Sequence, residues 1–391
     1  MKLVSVLNLV LGLVIGLSSA HSKDIIGYYP SWRFMERDHL VTQASIPYNK
    51  LTIINYAFFY PTPAGDLVGL APEADKYLLH DLIDQKTGEA LPNTSLIDYA
   101  EKNDVQVMLS IGGWEDSGNF PHVAAAESRR SRFAQNCVDV IKKYGFHGID
   151  IDWEYPGLEA HNGTPADKEN FTLLLQTVRD SLDAHSKLTK RYYPMSFAAP
   201  ASPNVAKGFD AVAISEILDF INIMTYDFNG AWNPISNHNS PLYQPAAGAA
   251  TATLDAAFKL YHEEYGIPAD KLNVGAAFYG RTFAGCKKLF GSHTGASTYF
   301  HPEGFADYQM IVNNPKGFKR QWDSKANVPY LINKKERILV SYDDPESIGL
   351  KADYINDTGA RGIIIWTIVG DYFEDGSTPL LEELNRKLNP E

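Results

Sequence analysis

The chain has 391 residues, 45% of them hydrophobic, which is enough for a large core, and a formal net charge of −12. No basic run offsets that charge, so neither nucleic acid nor an anionic membrane surface is an expected partner and a neutral substrate is favoured. Its two cysteines, Cys137 in a predicted amphipathic helix and Cys286 after a late strand, make no disulfide framework and are expected as unpaired, buried thiols.

Met1 to Ala20 reads as a secretory signal: Lys2, an uncharged run of Leu, Val, Ile and Gly, and a small-residue end at Ser18-Ser19-Ala20. The apolar run is short for a membrane anchor and no second span follows. Secretion is therefore expected, and the acceptor sequons at Asn93, Asn162, Asn170 and Asn356 agree with it.

Apolar runs then recur at 25–32, 51–60, 105–114, 148–156, 192–200, 219–228, 272–280 and 362–371. Helical patterns lie between them: Phe133, Cys137, Val140 and Ile141 share one face, and Phe171, Leu174, Leu175 and Val178 another. This alternation predicts an α/β fold, a (β/α)8 TIM barrel with its active site at the C-terminal strand ends. From 284 to 345 the rhythm breaks into β-like pieces at 317–323, 328–333 and 336–343, after a predicted helix near 306–314. That stretch predicts a small α+β subdomain inserted between strands seven and eight, raising one wall of a cleft. With no linker or repeat in view, residues 21–391 are expected to form one catalytic domain around it.

The fourth run sits in FHGIDIDWEYPG, residues 146–157. Asp150, Asp152 and Glu154 fall at every second position, so a strand would line them along one face while Ile149, Ile151 and Trp153 bury on the other. Buried acids in a row must share protons and hydrogen bonds. Five of the six tryptophans, Trp32, Trp114, Trp153, Trp232 and Trp366, lie at or just beyond predicted strand ends, and Trp322 lies in the insertion. Flat rings beside acids suit a sugar polymer, although core filling is the alternative for any one of them. No metal-ligand spacing occurs, and neither metal nor cofactor is expected.

The motifs SIGG (110–113), GIDIDWEYP (148–156), MTYDF (224–228), FYGR (278–281) and SYDDP (341–345), followed by Trp366, occur in the order found in chitinases of glycoside hydrolase family 18, which the chain resembles over essentially its whole mature length. The insertion resembles the extra subdomain of the deep-cleft branch. The resemblance implies hydrolysis of β-1,4 links between N-acetylglucosamine units of chitin, with retention and with the substrate's acetamido oxygen as nucleophile. It implies Glu154 as general acid and base, Asp152 as acceptor of the acetamide N–H, Asp150 as a partner sharing a proton with Asp152, and Tyr226 as donor to the acetamide oxygen. Substrate-binding positions would be Tyr28, Phe58, Met224, Asp227, Tyr279 and Arg281, with Trp366 as floor, Trp114 and Trp232 as stacking rings, and Ser110 supporting Asp150. It also implies non-proline cis peptides at Ala57-Phe58, Glu154-Tyr155 and Trp366-Thr367. A monomer is expected.

One position departs from the family pattern DxxDxDxE: His147 stands where the first Asp would be. Strand parity places it off the acidic face and roughly 20 Å or more from Glu154. It is expected to act on the lower barrel or on the proton balance of Asp150. A chitin-binding lectin and an endo-β-N-acetylglucosaminidase are the rival readings. The presence of Glu154, Asp152 and Tyr226 argues against the first, and the insertion with its aromatic cleft against the second.

Overall fold

Runs of Ile, Val, Phe and Tyr bounded by turn residues form the strands. The computed structural model describes residues 23–245, 252–313 and 316–390, so the expected signal at 1–20 lies outside the described residues. The strands are β1 (Asp24–Pro30), β2 (Ile53–Pro61), β3 (Leu67–Gly69), β4 (Gln106–Gly112), β5 (Gly148–Asp152), β6 (Met195–Pro200), β7 (Phe220–Met224), β8 (Leu272–Ala277), β9 (Tyr279–Phe283), β10 (Phe305–Asp307), β11 (Lys319–Asp323), β12 (Val328–Asn333), β13 (Ile338–Ser341) and β14 (Gly362–Trp366). Parallel pairing runs β1-β14-β8-β7-β6-β5-β4-β2, and β1 also pairs with β2, which closes an eight-stranded barrel. Helices between the strands pack outside it, so the fold is the (β/α)8 barrel that the alternating pattern predicts.

Two apolar layers result from the alternation of side chains along each strand. Outside, Ile149 and Ile151 of β5 meet the helices Glu127–Tyr144 and Asp167–Thr189, which bury Phe133, Cys137, Phe171 and Leu174. Trp153 belongs to this layer: it is fully buried, with ring centroids 5.3 Å from both Phe120 and Phe171. It is therefore a core residue and not one of the rings beside the acids. Cys137 and Cys286 are both free and buried.

Strands β9 to β13 form a second, antiparallel sheet in the order β10-β9-β13-β12-β11. Phe278 alone separates β8 from β9, so the apolar run 272–280 is divided between two sheets. Its amide donates to Trp366 O of the barrel (2.9 Å), and its carbonyl accepts from the Tyr308 amide (3.0 Å) just after β10. A buried ion pair ties this sheet back: Lys351 Nζ lies 2.7 Å from Asp343 Oδ2 and donates to Ser240 Oγ (2.8 Å), which donates to Thr225 O (2.6 Å) after β7.

His147 lies just before β5 and is buried. Its Nδ1 accepts from the Val107 amide (2.6 Å), and its Nε2 meets Glu101 Oε1 at 3.0 Å. Neither contact reaches Asp150, Asp152 or Glu154. The position serves the lower barrel, and an influence on the proton of Asp150 has no contact to carry it.

Candidate active site

Register sets the innermost acid. Ser110 of β4 and Ser196 of β6 both lie opposite Asp150 of β5. Asp150 Oδ2 accepts from Tyr28 (2.8 Å) and Ser110 (2.8 Å), and Oδ1 accepts from Ser196 (2.5 Å) and Asn222 Nδ2 (3.2 Å). A carboxylate offers about four acceptor positions, so this one is saturated. None of its bonds goes to Asp152, so the expected sharing of a proton between Asp150 and Asp152 has no hydrogen bond to carry it. Burial pushes the Asp150 carboxyl up, and its four donors oppose that shift.

Asp152 is sealed above it, and its Oδ1 is buried without a hydrogen-bond partner. Burial first, then the charges of Glu154 and Asp150, push its carboxyl well above the usual range. The regular strand ends at Asp152, so the ladder does not hold Glu154. Ser117 does: its Oγ accepts the Glu154 amide (2.8 Å) and donates to Gly113 O (2.8 Å), while His161 Nδ1 lies 2.6 Å from Glu154 O. Glu154 is partly open to the cleft. Burial pushes its carboxyl up to about 7, Tyr155 opposes the shift and Asp227 adds to it. Asp152 and Glu154 are close enough to titrate as one pair.

Tyr226 and Asp227 come from the segment after β7. Gly275 of β8 lets that segment sit close, since a Cβ there would come within 2.8 Å of Thr225 N and of Tyr226 Cε1. Burial, then the neighbouring Tyr279 and Asp152, raise Tyr226 well above the ordinary phenol range, so its hydroxyl keeps its proton and serves as a donor. Asp227 Oδ1 accepts from Tyr279 Oη (2.7 Å) and Arg281 Nε (2.7 Å) on β9, the first strand of the second sheet.

An aromatic cluster lines the rest. Trp366 lies 5.7 Å from Phe58 at 18° and 5.6 Å from Tyr28, with Trp32 5.9 Å from Phe58 and Met224 packed alongside. The peptides Ala57-Phe58, Glu154-Tyr155 and Trp366-Thr367 are cis. Trp114 and Trp232 are the exposed rings, 51% and 58% accessible, at two margins of the site. Trp114 meets Tyr155 edge-on at 6.4 Å, and the Arg281 guanidinium lies 4.9 Å from the Trp232 ring centre. The structure thus brings together Asp150, Asp152, Glu154, Tyr226, Asp227, Tyr279 and Arg281 over Tyr28, Phe58, Met224 and Trp366. Tyr28 and Ser110 lie beneath the acids as donors to Asp150.

Sequence reasoning did not single out Ser117, His161 and Asn239, which accepts the Asp227 amide at 3.0 Å. They are loop residues without periodicity. Ser196 and Asn222 did carry a signal, since each is a lone polar residue inside an apolar strand run. Among the described residues no group of three or more His, Cys, Asp or Glu is placed to hold a metal.

Residues 24–371 match the family described as Glycosyl hydrolases family 18. Chitinase A1 of Niallia circulans is 36% identical over 90% of this chain, which spans only 57% of that protein's length. A solved chitinase, ChiA74 from Bacillus thuringiensis, superposes with a TM-score of 0.82 at 32% identity, covering 94% of this chain and 70% of the other. The Ostrinia furnacalis Group IV chitinase in complex with allosamidin gives 0.81 at 28% identity, covering 93% and 98%.

Proposed function

Because the chain belongs to glycosyl hydrolase family 18, we propose that it is a secreted chitinase, hydrolysing β-1,4 links between N-acetylglucosamine units with retention and with the substrate's own acetamide as nucleophile. One observation carries the mechanism: the buried Asp152 Oδ1 has no partner within the protein. An orphaned buried acceptor is costly, and a turn of the Asp152 carboxyl toward the cleft lets an acetamide N–H satisfy it while orienting the carbonyl oxygen toward the anomeric carbon.

Glu154, partly open and held by burial near neutral pH, gives its proton to the leaving oxygen as the C–O bond breaks. The acetamide oxygen closes on the anomeric carbon while its N–H donates to Asp152, whose carboxylate stabilises the positive ring that forms. Tyr226 donates to the same oxygen and orients it. Glu154, now a base, then activates the water that reopens the ring. Asp150 is a saturated anchor whose charge helps to hold Asp152 up. Trp366 supports the distorted sugar, and Trp114 and Trp232 stack outer units. Exposed Asn93 is available for glycosylation along the secretory route, whereas the exposed Asn162 and Asn356 amides donate to Gly118 O and Lys387 O.

The test is a time-resolved, anomer-resolved product profile on chitohexaose with the wild type and Glu154→Gln. Products born as β-anomers are expected, with the variant slower by about 10²–10⁴-fold but still binding. Products born as α-anomers, or near-normal turnover by the variant, would remove the mechanism.

A further inference from the structure

The second sheet carries a feature that chitin hydrolysis does not use. A cavity of about 800 Å³ is lined by Lys287, Lys288, Lys316, Lys319, Lys334 and Lys335, and Glu336 is the one acid among its lining residues. The chain as a whole carries a net charge of −12. The six lysines come in pairs from three segments, 287–288, 316–319 and 334–335, which is why no long basic run announces them. None of their ammonium groups forms an ion pair among the described residues. All six are exposed, and together they set up a positive potential around one concavity that an anion would lower.

The cavity is built rather than incidental. On the β11–β12 ribbon, Lys319 pairs with Ile332 and Gln321 with Tyr330, so these four residues share the face that lines it. Arg320 faces the other way and is matched there by Asp344 (2.6 Å) and Glu346 (2.7 Å). The basic residue on one face of the ribbon, Arg320, is neutralised, and Lys319 on the cavity face is not. Asn333 orders the rim: its Oδ1 accepts the Lys335 and Glu336 amides (3.1 and 3.0 Å), and its Nδ2 donates to Lys316 O (3.4 Å). Gly317, at φ +79°, permits that approach, since a Cβ there would meet Asn333 Nδ2 at 2.8 Å.

Two aromatic rings complete the lining. Tyr299 is 44% exposed and braced by Phe300 and Phe318 at 4.9 and 5.3 Å, and Tyr330 lies across from Gln321. Lysines supply point charges for carboxylates or sulfates, while tyrosine faces and the Gln321 and Asn333 amides suit pyranose rings and their hydroxyls. We propose that this cavity is a second glycan site, which takes an acidic polysaccharide bearing carboxylate or sulfate groups. It shares no lining residue with the acid cluster, and its six lysines suit an acidic polymer where the acid cluster suits a neutral one.

The test uses the full chain in low salt, titrated by calorimetry with hexagalacturonide, a sulfated dextran fragment, neutral maltohexaose and a single-stranded DNA hexamer. The two acidic glycans are expected to bind, with affinity falling as salt rises, and maltohexaose is expected not to bind. The combined variant Lys316→Glu, Lys319→Glu, Lys334→Glu should weaken acidic-glycan binding by at least about a hundredfold while chitohexaose hydrolysis is unchanged. Tyr299→Ala, which leaves every charge in place, should weaken it by about five- to tenfold. Acidic glycans binding no better than maltohexaose, or equal binding by the charge-reversed variant, would overturn the site. Tighter binding of DNA than of either glycan would overturn the glycan assignment. Loss of chitohexaose turnover in the wild type with acidic-glycan binding intact would sink the proposed hydrolysis and leave this site standing.

Discussion

The pH dependence of the proposed acid offers a quantitative test. Burial carries the Glu154 carboxyl from 4.5 to about 7. If that group must be protonated to act, its competent fraction is about nine tenths near pH 6 and about one tenth near pH 8, so kcat/KM should fall about tenfold over that interval. Initial rates on chitotetraose well below KM measure this limb, whose apparent pKa belongs to the Asp152–Glu154 pair. Removing the charge of Asp227, which adds to the upward shift, should move the limb down in Asp227→Asn. The same shift has a stability consequence. A carboxyl raised in the folded state contributes no penalty below its unfolded pKa, and stability is then lost as pH rises toward the folded value. Glu154→Gln should therefore unfold at higher denaturant than the wild type at pH 8, by up to about 3 kcal/mol, with the difference vanishing below about pH 4. A limb near the ordinary carboxylate range, or rates flat through pH 9, would refute the reasoning.

Gly275→Ala forces a Cβ against Tyr226 and should lower kcat at least as much as Tyr226→Phe, at about 1–3 kcal/mol of stability; kinetics beside denaturant melts separate the two effects. Tyr28→Phe removes one of the four donors to Asp150 and should cost about 1–3 kcal/mol in urea unfolding, with kcat falling more than KM changes. Lys351→Met leaves Asp343 buried and unpaired and should destabilise by about 3–5 kcal/mol, whereas the Lys351→Met, Asp343→Leu pair recovers much of that loss. His147→Asp places a buried acid beside Glu101. It should lower stability by about 1–3 kcal/mol while the pH–rate profile overlays that of the wild type.

The barrel was legible because strand and helix periodicities alternate along the chain, and the same parity set Asp150 and Asp152 on the inner face. Parity held for Trp153, against its counting among the strand-end rings, and the regular ladder ended before Glu154. Trp153 continued the outward series into the core, so its place beside the acids in sequence said nothing about sugar. Glu154 continued the inward series only in sequence, since the strand stops at Asp152 and a loop serine holds the next turn. Contacts between distant segments leave no period to read. Ser117 beneath Glu154, Asn239 beneath Asp227 and the six converging lysines are all of that kind.

Phe278 separates barrel from second sheet by a single residue, and the strand that follows presents Tyr279 and Arg281 to Asp227. There is no slack at this junction. The second sheet is therefore not an exchangeable module: grafting a relative's version to widen or narrow the groove would transplant two groups that hold Asp227. Exchange at the turns beyond Arg281, among the segments that carry the lysines, leaves that junction intact and is the safer seam for engineering.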